Sequence, residues 1–107
     1  MMDQVTLAER SYQLVRKDLG LEDELVFEGN DSAFDRLHDF LVRQINSLLD
    51  KDLGRLLNAL YRIDIPEHKV KDILKHSDQG MIAVNLSRAI IEREKQKILT
   101  RLKYQTS

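Results

Sequence analysis

Three residues at helical spacing are the first that could do chemistry. His68, Asp72 and His76 form His-x3-Asp-x3-His, which puts them on one face of a helix. Imidazole and carboxylate suit zinc or iron, and neighbours four apart on a helix can share one ion. The outer two positions are about 12 Å apart along a helix axis, so one ion reaches two of the three at most. The remaining ligands must come from elsewhere. Asp35-x-x-His38, with Asp39 beside it, is the available source. Di-metal carboxylate bundles use repeated Glu-x-x-His pairs, and this chain has no Glu-x-x-His. A solvated polar face accounts for the same residues, with His76 favoured near a helix C-terminus. That is the reading adopted, with no metal or other cofactor expected.

The second constellation is cationic. Arg88, Arg93, Lys97, Arg101 and Lys103 lie in the C-terminal stretch with Lys95, against only Glu92 and Glu94, and Tyr104 follows. Arg93, Lys97 and Arg101 are spaced by four, a pattern that lines up three cations on one helical face for phosphate contact. Local pairing competes with this. Glu92 with Lys95 and Glu94 with Lys97 sit three apart, as in a solvated helix that stabilises itself. The isoelectric point near 6.3 is low for a nucleic-acid-binding domain. Nucleic-acid binding therefore ranks second. A third cluster, Tyr61-Arg62-Ile63-Asp64, offers an anion clamp at Arg62 with Tyr61 as donor. The plainer reading packs Tyr61 with its hydroxyl at the surface and uses Asp64 as the cap of the next helix. No Gly-x-Ser-x-Gly, P-loop or Gly-x-Gly-x-x-Gly motif occurs. No enzyme is expected.

The elements that must position these residues are helical. Over residues 4–19, Val5, Ala8, Tyr12, Val15 and Leu19 recur every three or four positions, with Asp3 as cap and Gly20 at the end. Residues 21–30 lack a helical period and are acidic, so they read as a linker or arm that lays Phe27 on the core. Phe34, Leu37, Leu41, Ile45 and Leu48 make the clearest stripe, capped by Asn30 or Asp31. In residues 52–63, Leu53, Leu56, Leu57, Leu60 and Ile63 form the stripe, and Ala59 and Tyr61 extend it. This most apolar helix is expected at the centre. The short junction at 50–52 implies a hairpin or one kinked helix. Pro66 restarts a short helix to about residue 75 with Val70, Ile73 and Leu74. Residues 81–103 form the last helix, apolar to Ile91 and then charged, with the second half projecting or covering an edge.

Composition fits such a domain. The chain has 107 residues, 17 Lys+Arg against 18 Asp+Glu, 42% apolar residues and no cysteine. It is long enough for one modest core, burying roughly 65% of its unfolded surface. Disulfides, thiolate metal sites and cysteine nucleophiles are excluded. The near-zero net charge hides an asymmetry: residues 1–50 carry five basic and eleven acidic side chains, and residues 51–107 twelve and seven. Pairing of the two halves inside one fold is the simpler account. The first residues do not read as a signal peptide, and no apolar run exceeds four residues, so a cytoplasmic location is expected.

The segments LLNALYRIDIPEHKV and AIIEREKQKILTRLKY resemble those of small uncharacterised all-helical bacterial proteins, over residues 56–104. The resemblance implies a bacterial cytoplasmic setting and no activity or site residues. The expectation is thus an all-α, four- or five-helix bundle-like single domain over 1–107, with an N-terminal helix at 1–20, the arm at 21–30 and a helical core at 31–107. Wide apolar stripes on 34–48 and 53–63 point to a non-enzymatic interaction module that forms a dimer or docks on a larger protein. Arg88, Arg93, Lys97, Arg101 and Lys103 are its candidate partner or phosphate contacts. No membrane contact and no small-molecule substrate are inferred.

Overall fold

The computed structural model describes residues 2–27 and 32–105. Five α-helices occur among them: α1 (Gln4–Leu19), α2 (Ala33–Lys51), α3 (Leu53–Ile63), α4 (Glu67–His76) and α5 (Ile82–Gln105). A 3-10 turn at Gln79–Met81 leads into α5, and no strand forms among the described residues. The fold is an all-α bundle-like domain. No helix is long and apolar enough to cross a membrane.

Local chemistry sets the boundaries. Asp3 caps α1, its carboxylate accepting from the Thr6 N–H at 2.7 Å. That bond holds the Asp3 carboxyl below its ordinary range. Gly20 ends the helix with φ of 63°, the left-handed geometry that glycine adopts without a Cβ penalty. The α2 cap expected at Asn30 or Asp31 lies outside the described residues. Ser32 caps the helix, its hydroxyl accepting from the Asp35 N–H. A single residue, Asp52, separates α2 from α3, and its side chain accepts from the Arg55 N–H at 3.1 Å. The 50–52 junction thus separates two helices.

The core is built around α5, which packs against every other helix. Phe34 of α2 lies under Lys95, and His38 Nε2 is 3.2 Å from the Val84 carbonyl, so α2 runs antiparallel to α5. Thr6 and Arg10 of α1 adjoin Leu102, whereas Asp18 at the other end meets Glu94, so α1 is antiparallel to α5 too. Two helices of one direction need a return connection, and the acidic arm supplies it. Tyr12 pins that arm. Its hydroxyl donates to the Asp23 carbonyl at 3.2 Å and accepts from the Leu25 N–H at 3.1 Å. Its ring meets Phe27 and Phe40 edge-on at 5.9 and 5.7 Å. Phe27 therefore does lie against the core.

One expectation needs correction. The most apolar helix, α3, is not central: Leu56, Ala59, Leu60 and Ile63 are buried on one side, but Leu53, Leu57 and Tyr61 are exposed on another. Of the two alternatives for the second half of α5, it covers an edge and does not project: α1 lies along it, and Glu94 and Ile98 are buried.

Candidate functional site

The outer face of α3 is the most distinctive surface. Leu56, Leu60 and Ile63 recur at helical spacing and close onto α1, α2 and α5. The neighbouring row, Leu53, Leu57 and Tyr61, is turned from it by about 100°, one residue's rotation. Its members are 46%, 41% and 86% exposed. Tyr61 is the most exposed of the three, so the expected packing of its ring is overturned. Gly54 sits beside this row, and a Cβ there would meet no atom but its own helix's Asp52 carboxylate, at 4.0 Å. Among the described residues, no packing contact calls for a glycine there. Elsewhere on a helix it costs up to about 1 kcal/mol against alanine.

The two arginines of α3 have structural work on the opposite edge. Arg55 donates through Nε and Nη2 to the Leu19 carbonyl, at 3.1 and 2.7 Å, and through Nη2 to the Gly20 carbonyl. Arg62 Nη2 donates to the Asp18 carbonyl at 3.1 Å. Seven positions apart, both guanidinium groups reach the C-terminal end of α1. There they satisfy carbonyls that no helical N–H can reach and face the negative end of the dipole. The anion clamp considered for Arg62 is thus a helix cap. Asp64 does not cap α4, whose N-cap residue is Pro66. Instead Asp64 closes α3 at φ 69°, its N–H bonded to the Tyr61 carbonyl.

The five candidate cations of α5 have different surroundings. Arg93 is fully engaged: Nε donates to the Asp64 carbonyl at 3.2 Å, Nη2 to its carboxylate at 3.2 Å, and Nη1 to Gln96 Oε1 at 3.1 Å. Lys97 turns toward α1, with Nζ 3.4 Å from Glu94 Oε1. Arg101 is exposed beside Arg10 and Gln13 of α1. Arg88 is exposed, with Nη1 3.5 Å from Asn85 Oδ1. Lys103 shares with Arg93 a groove of about 690 Å³ between α4 and α5, where Lys69 forms the far rim and Ile65 and Leu99 supply apolar wall. Of the five, Arg93 and Lys103 line this groove, together with Lys95 and Glu92, and Arg88, Lys97 and Arg101 do not. Lys95, which sequence spacing assigned to pairing, is 3.8 Å from Glu92 and stacks over Phe34 at 4.6 Å.

Glu94 is the residue whose setting the sequence concealed. Its i+3 lysine marks it as a solvated pair, yet the side chain is 0% exposed. Oε2 receives no hydrogen bond. Burial pushes its carboxyl above the ordinary range, Lys97 pulls it back, and the Asp18 carboxyl across the α1–α5 contact pushes it up again.

On α4, His68, Asp72 and His76 are all exposed, and His76 Nε2 is 3.9 Å from Asp72 Oδ1. His38 sits on α2 against the Val84 carbonyl instead of joining them. Among the described residues, no three His, Asp or Glu side chains gather closely enough to hold a metal ion. Comparison with protein families, curated proteins and solved structures gave no match.

Proposed function

We propose that the protein is a non-enzymatic interaction module that docks through the outer row of α3. One observation carries this reading: Leu53, Leu57 and Tyr61 stay 46%, 41% and 86% exposed on a helix whose other apolar positions are buried. Single exposed apolar residues are ordinary, but a contiguous row beside a glycine that no described packing contact calls for is the kind of surface that partners cover. An exposed tyrosine suits this use, since its ring supplies contact area and its hydroxyl tolerates water before docking.

Nucleic-acid binding by the C-terminal helix is the second reading, and the Lys69–Arg93–Lys103 groove is what favours it. The engagement of Arg93 by Asp64 and of Lys97 by Glu94 weighs against it, because those contacts must be surrendered before phosphates are bound.

The test is capture from bacterial lysate by the tagged full chain, with and without nuclease, alongside a Tyr61→Arg variant. A protein retained at stoichiometric level after nuclease and lost with the variant is the expected result. Capture that disappears with nuclease, or that ignores the substitution, overturns the docking reading.

A further inference from the structure

α4 is much shorter than α5, the helix it lies against. The two run antiparallel: His76 lines a cavity with Asn85, and Lys69 lines grooves with Glu92. At equal rise along both helices, α4 therefore begins opposite about residue 94 of α5, whereas α5 continues to Gln105. Among the described residues, nothing extends the lane of α4 along the last turns of α5. That lane is the open end of the groove of about 690 Å³, closed at its inner corner by Ile65 and Pro66. Glu92, Gln96, Leu99 and Lys103 border it from α5, and all four are exposed. Their spacing of four, three and four is that of the seam along which one helix packs beside another.

Charge selects the occupant. Lys69 stands on the α4 wall, and Arg93, Lys95 and Lys103 stand on the α5 wall. Against these four cations the lining holds one carboxylate, Glu92, and Asp64 adds a second through its bond to Arg93. The groove keeps a positive balance even after Arg93 is paired with Asp64 and Lys95 with Glu92. Within this frame Leu99 is 47% exposed, backed by the buried Ile65. The complement of such a surface is an apolar side chain flanked by carboxylates. Phosphates match the charge but not the rest. No aromatic ring lines the groove for a base to stack on, and Leu99 has no counterpart on a phosphate backbone.

We propose that an acidic amphipathic helix of a partner protein lies beside the end of α5, in the lane that α4 leaves open. Its apolar side chain rests on Leu99, and its carboxylates face Lys69 on one wall and Lys103 on the other. This is the helix-in-groove mode of recognition, with charge fixing which helices fit. The surface is separate from the outer row of α3, so the inference does not depend on that row being a docking face. The lane is about three turns long, short beside a standard interface, so the contact is weak and reversible. Its charged part is exposed and is screened by salt.

Fluorescence anisotropy with the full chain tests this. The probe is a labelled synthetic peptide of about 14 residues, with leucines spaced alternately by three and four and glutamates between them. The same peptide with lysine for glutamate, and a short labelled DNA duplex, are the comparisons. Wild type is expected to bind the acidic peptide and neither comparison. The double variant Lys69→Glu, Lys103→Glu should weaken binding by about tenfold or more, and Leu99→Ser by severalfold. All three positions are exposed, and circular dichroism checks that each variant is folded. Tyr61→Arg, on the other surface, should bind the peptide as wild type does. An acidic peptide that binds no better than its lysine counterpart overturns the proposal. Binding indifferent to the charge reversal or to Leu99→Ser, or weakened by Tyr61→Arg, overturns its placement on this groove. A DNA duplex that binds more tightly than the peptide overturns it in favour of phosphates. None of these outcomes bears on capture through Tyr61, so the two readings fail separately.

Discussion

Glu94 shows how one residue can look ordinary in sequence and be unusual in place. Burial raises its carboxyl above the unfolded value, so the folded state favours the protonated form. The resulting penalty is absent below the ordinary glutamate range. It grows as pH rises between the ordinary and the raised value, and is complete above the latter. Glu94→Gln mimics the protonated side chain and removes this dependence. At neutral pH the variant is expected to be more stable than wild type by about 1 kcal/mol, the scale of a buried acceptor left unsatisfied. Lys97 loses its partner but retains contact with water, so little is given back. The difference vanishes in acid, which cancels the opposite titration of Asp3 because that residue is common to both chains. Urea unfolding at neutral and acidic pH measures it, and a variant less stable than wild type at neutral pH would refute this account.

At the scale of elements, the junction of α1 with α3 carries the most specific chemistry. Arg55 holds the carbonyls of Leu19 and Gly20, while Gly20 supplies the positive φ that turns the chain into the arm. Gly20→Ala is expected to cost about 1–2 kcal/mol for the left-handed backbone. Its Cβ also meets Arg55 Nη2 at 3.0 Å, so the guanidinium must shift and weaken its bonds to the two carbonyls. Arg55→Met removes those charge-assisted bonds outright, at about 1.5–3 kcal/mol. The double variant should therefore lose less than the sum of the singles, which a double-mutant cycle by chemical denaturation reads directly. Strict additivity would mean that Arg55 and Gly20 act independently. The capping pattern of α1 was legible in sequence through Asp3 and Gly20. The role of Arg55 was not, because its partners are backbone carbonyls 35 and 36 residues away.

For the whole molecule, the decisive distinction is between apolar residues that the fold buries and those it leaves out. Leu41 and Leu57 are the same residue type on two stripes of similar pattern, yet Leu41 is 0% and Leu57 41% exposed. Leu41→Ala should cost about 2–5 kcal/mol through lost burial and the cavity left behind, a large share of the 5–15 kcal/mol typical of a domain. Leu57→Ala should change stability by no more than about 0.5–1 kcal/mol. Equal costs in thermal or denaturant unfolding would place Leu57 in the core after all. The charge asymmetry resolves at this scale as well. Arg55 and Arg62, from the basic half, cap the first helix of the acidic half, so part of that polarity is consumed inside the fold.

Sequence by itself determined the helices. Their periods, Gly20 and Pro66 are local signals, set by backbone geometry and by neighbours three or four residues away. It also determined the core face of α2, because one stripe there is wide, regular and unambiguous. Tertiary structure alone decided which side of α3 is covered, since Leu53, Leu56, Leu57 and Leu60 form two overlapping rows and only the positions of α1, α2 and α5 select between them. It alone buried Glu94 and set Arg93 against Asp64 and Lys97 against Glu94. Periodicity places a residue on a face of its own helix. What that face meets is fixed by segments far away in the chain.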